Sequence, residues 1–269
     1  MDSVADEARP AQIDDLIERI TALEGRLNDL TDIAERVRSV ESMLRGFLPR
    51  PDNRWEYLAQ CNVSDLPAWR AAFSSAAFVE QMMHTSTVCS SRQENIRQAA
   101  RNAPAEGMIL EFGVGEGTSL GWLQEELPGR RVVGFDSFEG LPEDWRSGFP
   151  QGFFGHANPE DFDGRELCVG WFEDTIPAFF AANDDPIALL HVDCDLYSST
   201  VTVLEACMPR MADGGVVVFD EFFNYPAWEL HEAKAWREYL TAHPEFQVEY
   251  VAYVPSGEQI AVRVSRSTP

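Results

Sequence analysis

The segment from Met108 to Leu120 constrains the fold most, because it joins an apolar run to a glycine-rich turn and the start of a helix. The apolar run consists of Met108, Ile109, Leu110 and Phe112. Such a run is typical of a strand that is covered on both faces. Glu111 interrupts it near the carboxyl end, and a carboxylate in that position requires a cationic or hydrogen-bonding partner.

The turn after this run contains Gly113, Gly115 and Gly117. Without side chains there, the backbone can lie against a ligand, and Thr118 is the expected N-cap of the following helix. The next apolar segment, 131–136, ends in Asp136, about 20 residues beyond the turn, where a ribose-binding carboxylate belongs. The two features together predict a site for a nucleotide-like cofactor.

The 269-residue chain has 45 acidic and 21 basic residues, which gives a formal net charge of −24 at pH 7. This charge repels nucleic acid and anionic membranes, so we expect neither as a partner and favour a neutral or cationic substrate.

The five cysteines lack C-x-x-C spacing, which favours reduced thiols over disulfides or zinc. The acidic start and the absence of a membrane-spanning apolar run predict a soluble cytoplasmic protein.

Residues 1–50 carry an apolar stripe with heptad spacing. The first part of the stripe consists of Ile13, Leu16, Ile20, Leu23, Leu27 and Leu30. Isoleucine at a positions with leucine at d positions favours a coiled coil between two chains, although the stripe can also fold back on its own domain. Pro49 and Pro51 end this helix. The sequence therefore predicts an N-terminal oligomerisation helix, a homo-oligomer, and a second domain over residues 51–269.

From Met108 onward, apolar strands alternate with helical segments. The predicted strands are 108–113, 131–136, 166–170, 187–193, 215–220, 246–251 and 259–264. This alternation predicts an α/β fold with a doubly wound, mainly parallel, Rossmann-like sheet of seven strands. Residues 55–103 are predicted to be helical, with Trp69, Phe73 and Phe78 packed against the sheet. In such folds, ligands bind at the carboxyl ends of the strands.

The connection from Ser137 to Asp163 is long and rich in glycine, proline and aromatic residues. A connection of this length inside a compact domain is usually functional, and its aromatic residues argue against disorder. We interpret it as a lid over the substrate. His156 near its end is a candidate contact to a substrate hydroxyl, although a single loop histidine more often has no chemical role.

Four carboxylates follow two of the predicted strands: Asp193, Asp195, Asp220 and Glu221. These two strands are neighbours in a doubly wound sheet, so the acids are expected to converge and repel one another. A hard divalent cation would relieve the repulsion and leave open positions for substrate oxygens. The alternative is that the acids cap the following helices, a task that Ser198, Ser199 and Thr200 can perform instead.

The loop E-F-G-V-G-E-G resembles the first motif of class I S-adenosylmethionine-dependent methyltransferases. The segments F-D-S-F-E-G-L-P, H-V-D-C-D-L-Y-S-S-T and V-F-D-E-F-F-N-Y-P resemble hallmarks of the macrocin O-methyltransferase family, whose metal-dependent members methylate sugar hydroxyls. The resemblance covers about residues 55–263. It implies a Mg-dependent O-methyltransferase that uses S-adenosylmethionine on a deoxysugar of a natural product or a surface glycan.

The resemblance also implies roles for individual residues. The cofactor would contact Glu111, Gly113, Gly115, Gly117, Thr118, Asp136, Ser137 and Asp174. Magnesium would bind Asp193, Asp220 and Glu221, where the family often has aspartate in place of Glu221. Asp195 would be the general base, and His156 is the second catalytic candidate.

Other classes of protein share some of these features. A nicotinamide oxidoreductase would share the sheet and Asp136, but its loop spacing is G-x-G-x-x-G and four acids have no use beside a nicotinamide. A non-catalytic module would retain cofactor binding alone, and loss of the acids would favour it. A metal-dependent methyltransferase acting on a catechol fits the same residues and the aromatic lid.

Overall fold

The computed structural model describes residues 63–267 of the chain. The predicted helix over residues 1–50, the domain boundary at residue 51 and Cys61 lie outside the described residues and stay predictions.

The described residues form one sheet with helices on both faces. The strands are β1 (Thr87–Val88), β2 (Met108–Phe112), β3 (Val132–Asp136), β4 (Glu166–Val169), β5 (Ile187–Val192), β6 (Met211–Phe219), β7 (Phe246–Tyr253) and β8 (Ile260–Arg266). The helices are α1 (Leu66–Met82), α2 (Arg92–Asn102), α3 (Thr118–Glu126), α4 (Phe172–Ala182), α5 (Tyr197–Cys207) and α6 (Glu232–Ala242).

The strands pair in the order β1-β7-β8-β6-β5-β2-β3-β4. Strand β8 is antiparallel to its neighbours β6 and β7, and the other pairs are parallel. The chain leaves β2 toward β3 on one side and returns to β5 on the other. Connections therefore diverge at the carboxyl ends of β2 and β5, which opens a crevice at that edge.

The sheet is held between two apolar clusters. Strands β2 and β5 are buried along their whole length, which accounts for their nearly continuous apolar sequences. Leu110 and Phe112 belong to one cluster and Ile109 to the other, because successive side chains of a strand point to opposite faces. The rings of Phe112 and Phe135 stack with centroids 4.4 Å apart, which fixes β2 against β3 beneath the crevice.

The predicted fold class is confirmed, and all seven predicted strands are present. Strand β1 is an eighth strand that the sequence does not predict, because two residues are too few to give a pattern. It pairs with β7 and, together with the turns around it, divides the segment predicted to be helical into α1 and α2.

The aromatic residues of α1 differ in environment. Phe78 packs against Phe222 and Tyr250, with ring centroids 5.6 and 5.5 Å away. The prediction of packing against the sheet is wrong for Phe73, which is 70% exposed, and Trp69 is 36% exposed. The spacing of these aromatic residues predicts an amphipathic helix, but it does not indicate which part of the protein packs against each of them.

The four described cysteines are free thiols, as predicted. Burial raises the pKa of the Cys89 thiol to about 11, so that thiol is protonated and unreactive at neutral pH. None of the helices between residues 63 and 267 has the length and apolar character needed to cross a bilayer.

Candidate active site

A cleft of about 570 Å³ lies at the carboxyl ends of β2, β3 and β5. The glycine loop and Asp136 form one wall, and the acids after β5 and β6 form another. The loop after β3 closes a third side through Gly140, Leu141, Pro142, Phe153, Phe154 and His156. The position of this loop matches the predicted lid. Phe153 and Phe154, which line the cleft, are 40% and 38% exposed.

Two glycines of the loop are required by geometry. Gly113 has a φ of 93°, and a Cβ built on it would overlap the carbonyl oxygen of Asp193. Gly117 has a φ of 74°, and its Cβ would overlap the Phe162 ring. Gly117 is also the N-cap of α3, so the prediction that Thr118 caps this helix is wrong. The close approach at Gly113 places the glycine loop directly beside the acids that follow β5.

Asp136 organises the glycine loop. Its Oδ2 accepts hydrogen bonds from the backbone N–H groups of Val114 at 2.7 Å and Gly115 at 2.8 Å. Its Oδ1 accepts one from the N–H of Phe138 at 2.7 Å. Oδ1 retains a second lone pair, and the carboxylate lines the cleft. Asp136 therefore shapes the loop and remains open to a hydroxyl ligand.

The acid cluster consists of Asp193, Asp195, Asp220 and Glu221. Backbone hydrogen bonds from Asp193 N to Phe112 O (2.8 Å) and from Asp220 N to Val192 O (3.0 Å) fix the strand ends side by side. One oxygen each of Asp193, Asp220 and Glu221 lie within 4.8 Å of one another. The helix after β5 has Leu196 as its N-cap without a side-chain cap bond, so these acids do not cap it.

Burial and mutual repulsion control the protonation of this cluster. Burial and the charge of Asp220 raise the pKa of Asp193 and Glu221 well above the usual range. The same two causes raise the pKa of Asp195 to about 7. Asp195 is 7% exposed and has a φ of 64°, a backbone conformation that aspartate and asparagine tolerate better than most residues. A carboxyl group in this range can exchange a proton near neutral pH.

Arg92 lies inside the acid cluster, a contact that the sequence does not predict. Its Nε donates to Asp220 Oδ1 at 3.0 Å, and its Nη2 lies 2.8 Å from Asp220 Oδ2 and 3.1 Å from Asp193 Oδ2. Arg92 is the first residue of α2, and Ser91 caps that helix by accepting a hydrogen bond from Glu94 N–H. The only sequence signal is this N-cap, which places an arginine at a helix start without indicating its partner.

A fully buried pair lies beneath the acids. His191 Nδ1 is 2.8 Å from Glu111 Oε1, and His191 Nε2 is 3.7 Å from Asp220 Oδ1. Burial alone would lower the pKa of His191, but Asp220 and Glu111 outweigh it and raise the pKa to about 10. The imidazolium is the cationic partner that the sequence requires for Glu111, and it links the glycine-loop strand to the acid cluster.

Residues 110–222 match the family described as a methyltransferase domain. This segment is a methyltransferase domain. Over 159 residues it is 31% identical to the 8-demethyl-8-(2,3-dimethoxy-alpha-L-rhamnosyl)-tetracenomycin-C 4'-O-methyltransferase of Streptomyces olivaceus, covering 49% of this chain and 60% of the relative. Over 165 residues it is 31% identical to the demethyldecarbamoylnovobiocin O-methyltransferase of Streptomyces niveus, covering 50% and 61%.

Two solved structures share the fold of the methyltransferase domain. The O-methyltransferase NovP aligns with a TM-score of 0.51 at 23% identity, covering 65% of this chain and 80% of NovP. The calicheamicin methyltransferase CalS11 aligns with a TM-score of 0.51 at 24% identity, covering 85% and 92%. The chain spans about 60% of the length of the curated relatives that it matches.

Most predicted site residues of the methyltransferase domain lie in the cleft wall, and four do not. Those in the wall are Gly113, Gly115, Thr118, Asp136, Ser137, His156, Asp193, Asp195 and Glu221. Glu111 is fully buried against His191, Gly117 packs on Phe162, and Asp220 lies behind Arg92. Asp174 is exposed on α4, and its neighbour Glu173 lines the cleft in its place. Glu173, which the sequence does not single out, is therefore the acid of this segment that faces the cleft.

His156 lies at the opening of the cleft, on the side of the glycine loop. Its Nε2 is 3.3 Å from Glu116 Oε1, and both side chains are largely exposed. This position is compatible with contact to a ligand that enters the cleft. It gives His156 no hydrogen bond to the acid cluster.

The raised pKa of Asp195 predicts how stability depends on pH in the absence of divalent cations. Folding favours the protonated form of Asp195. Its contribution to the stability of the fold is therefore complete below the unfolded pKa of about 4 and is lost as the pH rises through about 7. His191 contributes in the same direction at higher pH, because its pKa is raised to about 10. Urea unfolding in EDTA should show stability falling by a few kcal/mol between about pH 5 and pH 8. Asp195→Asn should weaken this dependence without abolishing it, because the pKa values of Asp193 and Glu221 are also raised. A constant stability in the wild type would contradict the prediction.

Proposed function

We propose that this protein is an S-adenosylmethionine-dependent O-methyltransferase that methylates a hydroxyl of a sugar or of a glycosylated natural product. The observation that carries the proposal is the contact between two sites. Gly113 of the cofactor loop lies against the carbonyl oxygen of Asp193, so a cofactor on the loop would lie beside the acid cluster. Of the curated relatives, one is named for a rhamnosyl-tetracenomycin and one for demethyldecarbamoylnovobiocin, and the rhamnosyl group of the first supports a glycosylated acceptor.

The acid cluster fits a hard divalent cation such as Mg²⁺. Its donors are carboxylate oxygens, which this ion prefers, and Glu221 Oε2 is a buried oxygen without a hydrogen-bond partner in the described part of the chain. Asp193, Asp220 and Glu221 would hold the ion. The longer side chain of Glu221 does not prevent this role, since its oxygen lies within the 4.8 Å group.

When bound, S-adenosylmethionine supplies an electrophilic methyl group, and the cation supplies positive charge that lowers the pKa of an acceptor hydroxyl. Asp195 would then accept the proton of that hydroxyl, because its carboxylate lines the cleft and titrates near neutral pH. The glycine loop and Asp136 would orient the cofactor, and Phe153 and Phe154 would cover the acceptor and exclude water.

The direct test is methyl transfer from labelled S-adenosylmethionine to a panel of acceptors. The panel contains rhamnosylated natural products, deoxysugar nucleotides and catechols, each with Mg²⁺ and with EDTA. We expect transfer to a glycosylated acceptor that EDTA suppresses. Transfer to catechols alone would support the second candidate, which the exposed faces of Phe153 and Phe154 favour because they suit a flat aromatic acceptor. Cofactor binding without transfer to any acceptor would favour a non-catalytic module.

Asp136→Ala should weaken S-adenosylmethionine binding by about 10- to 100-fold, because charge-assisted hydrogen bonds contribute about 1.5 to 3 kcal/mol each. Part of this loss in affinity comes from the conformation of the glycine loop, because the Asp136 carboxylate also accepts hydrogen bonds from the N–H groups of Val114 and Gly115. Calorimetric titration with the cofactor measures the effect. Asp184→Ala, whose side chain is 99% exposed, is the control. Equal affinities for wild type and Asp136→Ala would refute the assignment.

We also propose that residues 1–50 assemble the protein into a homo-oligomer through their heptad stripe. Deleting the residues before Pro51 should then lower the oligomeric state and leave cofactor binding intact. Light scattering of both proteins measures the mass per particle, and an unchanged number of subunits would contradict this role.

A further inference from the structure

Arg92 occupies the oxygen atoms that a cation in the acid cluster would use. Its guanidinium engages both oxygens of Asp220, at 3.0 and 2.8 Å, and Oδ2 of Asp193 at 3.1 Å. These are two of the three residues whose oxygens lie within 4.8 Å of one another. A bidentate guanidinium of this kind is the strongest organic counter-ion available to a pair of carboxylates.

Asp220 has little remaining capacity for another partner. Its Oδ2 also lies 3.3 Å from Gln259 Nε2, and its Oδ1 faces His191 Nε2 at 3.7 Å. Asp220 is 1% exposed, so water cannot complete its coordination. A divalent ion coordinated at about 2.1 Å by these oxygens would stand next to the guanidinium, and like charges at that distance repel.

Arg92 is also placed so that it can leave. It stands in the first turn of α2 with 43% of its side chain exposed, and it lines the open cleft. Arg97 on the same helix pairs with Glu126 at 2.8 Å, away from the acid cluster. Movement of the Arg92 side chain therefore requires no change in the helix.

We propose that Arg92 is an internal counter-cation that holds the metal ligands together in the metal-free protein and is displaced from Asp193 and Asp220 by the divalent cation. Arg92 is on this view a competitor of the metal and a positioning residue for its ligands. This inference rests on the proposed metal site. It adds that one side chain, Arg92, lowers the affinity of the site for the metal. Substitution of Arg92 should therefore raise that affinity.

Metal binding to the full-length protein without cofactor or acceptor tests the proposal. Mn²⁺ is titrated and its free concentration followed by electron paramagnetic resonance, for wild type, Arg92→Met, Arg92→Lys and the control Arg97→Met. Arg92→Met keeps the length of the side chain and removes its charge. We expect it to bind Mn²⁺ about 10- to 100-fold more tightly, because the ion no longer has to replace one or two charge-assisted hydrogen bonds. The Mn²⁺ affinity of Arg92→Lys should lie between those of wild type and Arg92→Met, and the affinity of Arg97→Met should match that of the wild type.

A second measurement distinguishes displacement from damage to the fold. In EDTA, Arg92→Met should melt at a lower temperature than wild type, because Asp193 and Asp220 lose their counter-ion. Saturating Mg²⁺ should raise its melting temperature more than that of the wild type. Retained S-adenosylmethionine affinity confirms that the variant is folded.

Two outcomes would overturn the inference, and they differ in what else they affect. Mn²⁺ affinity that is unchanged or weaker in Arg92→Met shows that Arg92 does not compete with the metal, and the proposed metal site stands. Absence of Mn²⁺ binding in every variant removes both the metal site and the role of Arg92. Methyl transfer that persists in EDTA would overturn the metal dependence of the proposed function and not the inference about Arg92, which the Mn²⁺ titrations decide.

Discussion

Asp195→Asn should reduce turnover by roughly 10²- to 10⁴-fold, the usual contribution of a general base. Asparagine has nearly the same size and also tolerates the positive φ of 64° at this position, so the backbone should be preserved. It cannot accept the proton of the acceptor hydroxyl. Cofactor affinity should remain within a few-fold of wild type, because the glycine loop is held by Asp136 and not by Asp195.

Single-turnover rates at saturating cofactor, with a transferable acceptor and Mg²⁺, measure this effect. Asp184→Asn removes an exposed carboxylate outside the cleft and should retain wild-type turnover. The substitution Asp195→Ala is less informative, since alanine at this backbone conformation adds strain. Wild-type turnover in Asp195→Asn would move the base elsewhere. His156 would then be the next candidate, because it lines the same cleft.

The sequence predicts the sheet well because its signals are local. Buried parallel strands are continuous apolar runs, and Met108–Phe112 and Ile187–Val192 have no polar residues except Glu111 and His191. These two exceptions pair with each other in the structure, at 2.8 Å. Each is visible in the sequence as an interruption, but their pairing depends on β2 and β5 being neighbours, which is a property of the topology.

The candidate site is predicted in part for the same reason. The acids after β5 and β6 follow directly from strand ends, so the sequence locates them. Arg92 belongs to a helix that precedes the first long strand, and its contact with Asp220 spans 128 positions of the chain. No local pattern indicates such a contact. The motif resemblance names Asp174 as a cofactor contact, whereas its neighbour Glu173 lies in the cleft wall. The contact of Asp174 with the cofactor stays a prediction.

Asp193→Asn should abolish the Mg²⁺ dependence and the activity together, with metal affinity reduced at least roughly 100-fold, since a direct ligand contributes more than the residues that orient it. The contact between Gly113 and Asp193 involves the backbone carbonyl of Asp193, which asparagine retains. S-adenosylmethionine affinity should therefore survive. Mn²⁺ titration and cofactor calorimetry on the same preparation separate the two sites, and Asp184→Asn, whose side chain is 99% exposed, is the control.

Asp220→Asn should cause the same loss of metal and activity but should also destabilise the fold by about 3 to 5 kcal/mol, the cost of breaking a buried charge pair. Asp220 is 1% exposed and faces Arg92, His191 and Gln259, whereas the Asp193 side chain is 20% exposed and pairs with Arg92. Chemical unfolding of the two variants in EDTA measures the difference. If Asp193→Asn binds Mn²⁺ as tightly as wild type while Asp220→Asn does not, the ion is held by Asp220 and Glu221 alone, and Asp193 serves only as a partner of Arg92.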